Sequence, residues 1–377
     1  MTSTKKDPVL VVLQLAGGND AVNTIVPHGD PNYYDNRTTV VVPEDQVLKI
    51  DDQVGFNPNM GPMKQIYDEG KMAIIQGVGY PTGSRSHFRS MDIWHTCEPT
   101  KIGEEGWLGR VVRDLDPNGE NVLTAVNFGR GLPRALVAPG VAAASVGNLE
   151  TYGVLTGIDD VDQRLKALDV FSKVYSPMIG TGPVMDYLAH TGLDALKGAD
   201  ILSTAPDMYS SSVEYGGDTV GQYMRNIVQT HLAGFGTRVL YTTAPFNSFD
   251  THAGQLANHT RLWSETSKAI GDFYDDLKEH NAGENVMLLV FSEFGRRVKD
   301  NGSGTDHGAG GHCFIIGDQV KGGLYGEYPS LDANKLDDGD LMHNNDFRGV
   351  YSTILEKWMG LDAKPIVGGE FEQMAFI

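Results

Sequence analysis

The sequence predicts an α/β protein, a mostly parallel sheet flanked by helices and carrying a helical insertion. Three observations predict it. Near-continuous apolar runs rich in β-branched residues recur along the chain, as in strands buried on both faces. Stretches of helical period lie between these runs, the alternation that gives a parallel sheet covered on both sides. The runs end in loops bearing Gly, Asp, Glu or Ser, and a parallel sheet carries its sites at the carboxyl ends of its strands.

The first run is Val9–Leu15, which ends at Gly17-Gly18-Asn19-Asp20. Met72–Val78 is the second; it leads through a Gly/Pro/Ser loop into a helical stretch over Ser86–Thr96. Further strands are expected at Val122–Phe128, Arg238–Thr243, Val286–Ser292 and Cys313–Ile316. Helices are expected at Pro62–Glu69, Val161–Val174, Thr219–Phe235, Thr260–His280 and Phe347–Met359. In the fourth of these, Leu262, Thr266, Ala269, Phe273 and Leu277 share one face, a stripe that packs on a sheet. Ser176–Gly217 interrupts the alternation with Gly, Ser, Tyr and Met, and reads as an insertion or cap within one domain spanning 1–377.

Composition narrows the function. Forty per cent of the 377 residues are hydrophobic and 21% charged, ordinary values for a soluble domain. The formal charge of −19 argues against a nucleic-acid binder, which needs clustered Lys and Arg. It leaves room for a small anionic substrate, because a metal cluster reverses the local field. Cys97 and Cys313 have no CxxC partner, so free buried thiols are expected. No twin arginine and no apolar span of about 20 residues is present, so a cytoplasmic protein without membrane contact is expected.

Four constellations carry candidate chemistry. Asp20 follows a buried strand on a loop whose glycines let backbone approach a ligand. Ser84, Arg85 and Ser86 stand at a helix start, where free N–H groups favour an anion or alkoxide and an arginine clamps phosphate or sulfate. A serine there is also a common helix cap. Asp250, His252 and His259 follow a strand, with 252, 255 and 259 on one face if a helix begins there. Glu293 ends the most apolar strand, and Asp306-His307 lies in the glycine-rich loop after it. This mixed oxygen and nitrogen set suits Zn²⁺ or Mn²⁺ better than Ca²⁺ or Mg²⁺. Asn19, His87 and Arg296 adjoin these groups and are expected to meet the substrate. A P-loop and a GxSxG elbow are both missing, which removes support from nucleotide-triphosphate and Ser-His-Asp chemistry.

The stretches LAGGNDAVNTIVPHGDPNYY, GYPTGSRSHFRSMDIWHT, GWLGR, FDTHAGQ, SEFGRRVKDNGSGTDHG and VKGGLYGEYPSL resemble a bacterial family, domain of unknown function 1501. That family is grouped with the alkaline phosphatase, sulfatase and cofactor-independent phosphoglycerate mutase superfamily, and many of its members carry a twin-arginine export signal. The resemblance implies an alkaline phosphatase-like fold with Asp20 as first ligand and Ser86 or Ser84 as nucleophile. It also implies Asp250 with His252 and His259 as one metal half, and His307 as the last ligand. Where the superfamily has an Asp-His pair this chain has Glu293-Phe294, so Asp306 is expected to stand in for the missing ligand. The loop at Pro81–Ser86 is out of register with the sulfatase CxPSR signature, so formylglycine chemistry is not expected. The implied activity is hydrolysis of a phosphate or sulfate ester by a serine or a metal-bound water, with one or two Zn²⁺ or Mn²⁺ ions. A phosphotransferase or mutase, and a fold that binds a ligand or partner without catalysis, are the alternatives.

Overall fold

The computed structural model describes residues 6–149, 160–175, 198–244 and 248–377, together with 179, 182 and 185. Its main sheet contains β1 (Val9–Gln14), β2 (Met72–Gly79), β3 (Ala125–Phe128), β4 (Ala144–Val146), β5 (Val239–Thr243), β6 (Val286–Phe291), β7 (Gly311–Ile316), β8 (Gly323–Tyr325) and β9 (Asn345–Asp346). The strand order is β8-β2-β7-β6-β1-β5-β3-β4, with β9 on β2. Every neighbouring pair is parallel except those of β7, which runs against both β2 and β6. The expected mostly parallel sheet is therefore present, with one reversed strand. A small antiparallel sheet joins Ile25–Val26, Gly55–Phe56 and Leu48–Lys49.

The helices are α1 (Pro31–Asn36), α2 (Gly61–Asp68), α3 (His87–Thr96), α4 (Trp107–Leu115), α5 (Val161–Tyr175), α6 (Thr219–Leu232), α7 (Gln255–Glu279), α8 (Phe347–Thr353) and α9 (Ala363–Val367). Strand β1 shows how they are layered. Its side chains alternate between the two faces of the sheet. Val9, Val11 and Leu13 join one core with Met63 of α2, Met224 of α6 and Trp263 and Phe273 of α7. Leu10 and Val12 join the other with Ile93 and Trp94 of α3, Trp107 of α4 and Tyr351 of α8. A strand buried at all six positions needs apolar residues at each, which is why its sequence shows a run rather than an alternation. The expected stripe on α7 is buried throughout, from Leu262 to Leu277.

Several boundaries differ from the sequence reading. Helix α7 starts at Gln255, five residues earlier than expected, after Gly254 in the left-handed region. Helix α8 passes into a π-helical turn over Ile354–Met359. Within 176–217, residues 198–217 are described, and most of the remainder lies outside the described residues. Leu202 and Ala205 enter the core, and the Tyr209 and Tyr215 hydroxyls donate to Asp276 Oδ2 at 2.7 and 2.9 Å. Asp276 lies roughly 30 Å along α7 from its first residue, so this part of the insertion sits at the far end from the loop carrying His252. Cys97 and Cys313 are free and buried, and burial pushes both thiols up, Cys97 to about 12. Among the described residues, no helix is long and apolar enough to cross a membrane.

Candidate metal centre

All the expected site segments reach one edge of the sheet. The loops after β1, β2, β5 and β6 leave from strands running in the same direction, so they emerge together. Reversed strand β7 begins at that same edge, so the 292–310 loop stays there and brings Glu293, Arg296, Asp306 and His307 into reach. Two glycines let the loops close on each other. Gly17 has φ +120°, and a Cβ there would collide with the backbone of Asp250; Gly18 has φ +72°, and a Cβ there would collide with the Phe294 ring.

The side chains that meet are His87, Asp250 and His307, whose ligand atoms all lie within 4.8 Å of one another. His307 Nε2 is 3.1 Å from Asp250 Oδ1, and His87 Nε2 is 3.5 Å from Asp250 Oδ2. His252 adds a third imidazole, with Nε2 3.1 Å from Asp250 Oδ1 and 2.9 Å from His307 Nε2. The opposite nitrogen of each ring faces an acceptor. His307 Nδ1 donates to the Arg85 carbonyl at 2.7 Å. His87 Nδ1 lies 2.9 Å from Glu293 Oε1, which also accepts from the Gly17 N–H at 2.9 Å. His252 Nδ1 lies 3.2 Å from Asp306 Oδ1.

These acceptors fix the tautomers. An imidazole that donates through Nδ1 presents a lone pair at Nε2 while it is neutral. Burial lowers the His307 pKa, and Arg296 and His87 lower it further against the Arg85 and Asp250 bonds, so the neutral form is favoured. The Nε2 atoms of His87 and His307 converge with the Asp250 carboxylate, and that of His252 lies beside them. Two such lone pairs 2.9 Å apart repel unless a proton or a cation lies between them. His87 Nε2 is moreover buried with no hydrogen-bond partner, an arrangement that costs free energy when left unmet. Burial would raise the Asp250 carboxyl, but the bond and the charge of Arg296 outweigh that and hold it below the ordinary value.

Asp20 does not join this cluster. It is fully buried, and Arg37 grips both of its oxygens, with Nη2 2.8 Å from Oδ1 and Nη1 on Oδ2. Gln255 Nε2 donates to Oδ2 as well. Burial pushes the Asp20 carboxyl up, yet the Arg37 charge and bonds prevail and keep it ionised. Arg37 is locked in turn onto the carbonyls of Val298 and Arg297 at 2.6 and 3.1 Å. The carboxylate expected as first ligand is thus half of a structural ion pair.

Other expected residues also take different roles. Glu293 and Asp306 orient His87 and His252 rather than facing Asp250. His259 is buried beside Phe249 and near Asp20, away from the cluster, and burial lowers its pKa to about 4. Arg296 is fully buried, bonded to Thr305 O at 2.9 Å, Phe249 O at 3.1 Å and Asp250 Oδ1 at 2.7 Å, so it is not open to a substrate. Asn19 is buried too, its N–H on Ser292 Oγ and its amide on Thr24. Arg85 is tied to Asp338 at 3.1 Å and Asp340 at 2.9 Å. Ser84 Oγ accepts from the Ser86 N–H, whereas Ser86 caps α3 without a side-chain bond and is exposed. Ser86 stands between Arg85, whose carbonyl holds His307, and His87.

Two features escaped the sequence reading. Arg37 has no motif around it, and only the fold carries it to Asp20. His87 was expected at the substrate but has the geometry of a ligand; the signal was its place one residue after a helix-capping serine at a strand-to-helix turn. Phe294 occupies the position where a histidine was looked for, its ring 4.8 Å from that of His87 and 4.9 Å from that of His307. It forms an apolar wall of the cluster.

Fold and site together define an α/β protein with a mixed, mostly parallel sheet and a candidate metal centre at the edge where its loops converge. Residues 193–372 match the model of the family described as protein of unknown function (DUF1501). The match includes Asp250, His252, Glu293, Asp306 and His307 and leaves out His87. No curated protein matches the sequence. Among solved structures, the chain is similar to a protein in the alkaline phosphatase superfamily from Vibrio parahaemolyticus, at TM-score 0.41 and 11% identity over 97% of this chain and 69% of that one. The phosphonate monoester hydrolase of Agrobacterium radiobacter gives 0.40 and 9%, over 98% and 79%. The C-terminal periplasmic domain of EcEptC from Escherichia coli, in complex with Zn, gives 0.40 and 7%, over 84% and 75%.

Proposed function

We propose that the chain is a metal-dependent hydrolase of a phosphate or sulfate ester, with a single Zn²⁺ or Mn²⁺ held by His87, Asp250, His252 and His307. The observation carrying this reading is the set of imidazoles whose Nδ1 atoms each face an acceptor and whose Nε2 atoms face Asp250. Histidine ligands in metal sites have this second bond, which fixes the tautomer and raises ligand basicity. A set of three nitrogens and one oxygen suits a borderline cation. The place that Asp20 would serve in a second ion's shell is occupied by the Arg37 guanidinium, which favours one ion over two.

A bound cation would supply Lewis acidity to an oxygen of the ester. Ser86 is the candidate nucleophile, because its hydroxyl is uncommitted and both of its neighbours touch the cluster. The Ser84 hydroxyl, engaged by the Ser86 N–H, positions that turn. His252 is the most open of the three imidazoles, with 44% of its side chain exposed; Asp306 holds its Nδ1, which leaves Nε2 to the cation, and the leaving oxygen would take its proton from solvent.

A second reading, binding without catalysis, is favoured by one observation. Arg85 and Arg296, which would clamp the anion, are already paired with carboxylates. Metal analysis of purified protein, followed by a phosphate- and sulfate-ester screen with added Zn²⁺ and Mn²⁺, separates the two. The hydrolase reading expects about one ion per chain and turnover lost in Ser86→Ala; bound metal without turnover supports binding alone, and neither metal nor turnover overturns the hydrolase reading.

A further inference from the structure

A cavity of about 400 Å³ opens at the carboxyl ends of β1, β3 and β5, lined by Gln14, Asn127 and Thr243 from those strands. That volume falls in the range of small-molecule sites. One helix, α3, serves both this cavity and the candidate metal centre. His87, Met91 and His95 are spaced i, i+4, i+8, so the helix that presents His87 to the cluster presents Met91 and His95 to the cavity roughly 12 Å further on.

The walls offer several hydrogen-bond donors. Gln14 is 2% exposed; Tyr241 donates to its Oε1, and His95 Nε2 lies 3.0 Å from that same oxygen. Its Nε2 is left buried without a partner. Thr219, Tyr223 and Thr243 line the cavity with hydroxyls. Burial holds His95 neutral, with its pKa lowered to about 4, so the cation of this cavity is Arg130. Among the described residues Arg130 has no ion-pair partner, unlike Arg85, Arg113, Arg297 and Arg348. Among the described residues no lining residue is acidic, in a chain whose formal charge is −19. Met91, Leu132 and Pro133 add an apolar wall.

We propose that this cavity binds the organic part of the ester, a hydroxylated group carrying a carboxylate of its own. The carboxylate pairs with Arg130, a hydroxyl or ring oxygen accepts from Gln14 Nε2, and the C–H face of the group lies on Met91 and Leu132. Assigning the group to an ester rests on the hydrolase reading; its binding to the cavity does not. Glucuronate is a suitable probe and glucose its uncharged counterpart, each titrated calorimetrically into protein stripped of metal. Glucuronate is expected to bind at least tenfold more tightly than glucose. Arg130→Ala, at an exposed position that leaves the core intact, is expected to erase that difference, while His307→Ala preserves it. Equal affinity for the two sugars overturns the proposal, as does unchanged glucuronate binding in Arg130→Ala. Loss of binding in His307→Ala also overturns it, because the anion would then be held by the cluster. Bound glucuronate with no ester turnover in the metal-loaded protein leaves the cavity assigned and removes only the hydrolase reading.

Discussion

Asp20 and Asp250 both follow a central strand and both face a buried arginine, yet their surroundings differ. Arg37 and Gln255 saturate the Asp20 oxygens in a fully buried setting. Asp250 keeps a quarter of its side chain exposed, gives Arg296 one oxygen, and is surrounded by imidazoles whose lone pairs lack a positive partner. The first carboxylate closes the fold. The second has coordination capacity left over, and such capacity at a loop-lined edge marks where a ligand belongs. A carboxylate at a strand end is therefore not enough to identify a metal ligand; what else reaches its oxygens decides.

The largest effect is expected from breaking the closed pair. Asp20→Ala strands a buried guanidinium, at a cost of about 3–5 kcal/mol of stability by denaturant titration. Replacing both partners, as in Asp20→Leu with Arg37→Met, is expected to recover much of that loss, since an apolar pair leaves no charge unpaired. An Asp20→Ala protein of normal stability that lost its metal would restore Asp20 as a ligand and dissolve the contrast.

Acid should then weaken the closed region. His259 and His312 are buried near Asp20 with both ring nitrogens unpartnered, and burial lowers the pKa of each to about 4 from 6.5. Between those values the unfolded chain binds protons that the folded chain refuses. Stability contributed by the neutral rings is thus complete above pH 6.5 and lost as pH falls towards 4. Urea midpoints measured from pH 7 to pH 4 should decline, and less steeply in His312→Phe. A flat profile would mean that the rings are protonated in the fold.

How far the sequence reached follows the same division. The apolar runs announce the sheet because burial on both faces demands such residues, and the loop positions of Asp250, His252 and His307 follow from strand direction. The Arg37–Asp20 pair is not legible in this way: it joins residues in different loops, and a lone arginine has no periodicity. Helix α4 went unread although Trp107, Leu108, Val111 and Val112 fall at helical period and are all buried, because the stripe spans only nine residues. Edge strands β4, β8 and β9 are only two or three residues long, below the length at which alternation can be seen. Glu293 and Asp306 were read as ligands because sequence gives residue type and place, not whether an oxygen faces a cation or a ring N–H.

Those two carboxylates give the finer comparison. Each accepts from a histidine Nδ1, but Glu293 is fully buried and Asp306 has a side chain 56% exposed. Glu293→Gln should weaken metal binding about 10–100-fold, the usual consequence of removing a group that orients a histidine ligand. A metal-indicator competition reads this directly, and unchanged affinity would remove Glu293 from that role.

Asp306→Asn should do less, by under about tenfold, because water screens an exposed carboxylate and can itself accept from His252 Nδ1. Its effect should shrink further as salt is raised, whereas that of Glu293→Gln should not, since a buried pair is poorly screened. Equal losses at all salt concentrations would mean that Asp306 faces a cation directly. The assignment of ligands and orienting groups would then have to be redrawn, with the 301–308 loop supplying an oxygen in place of His252.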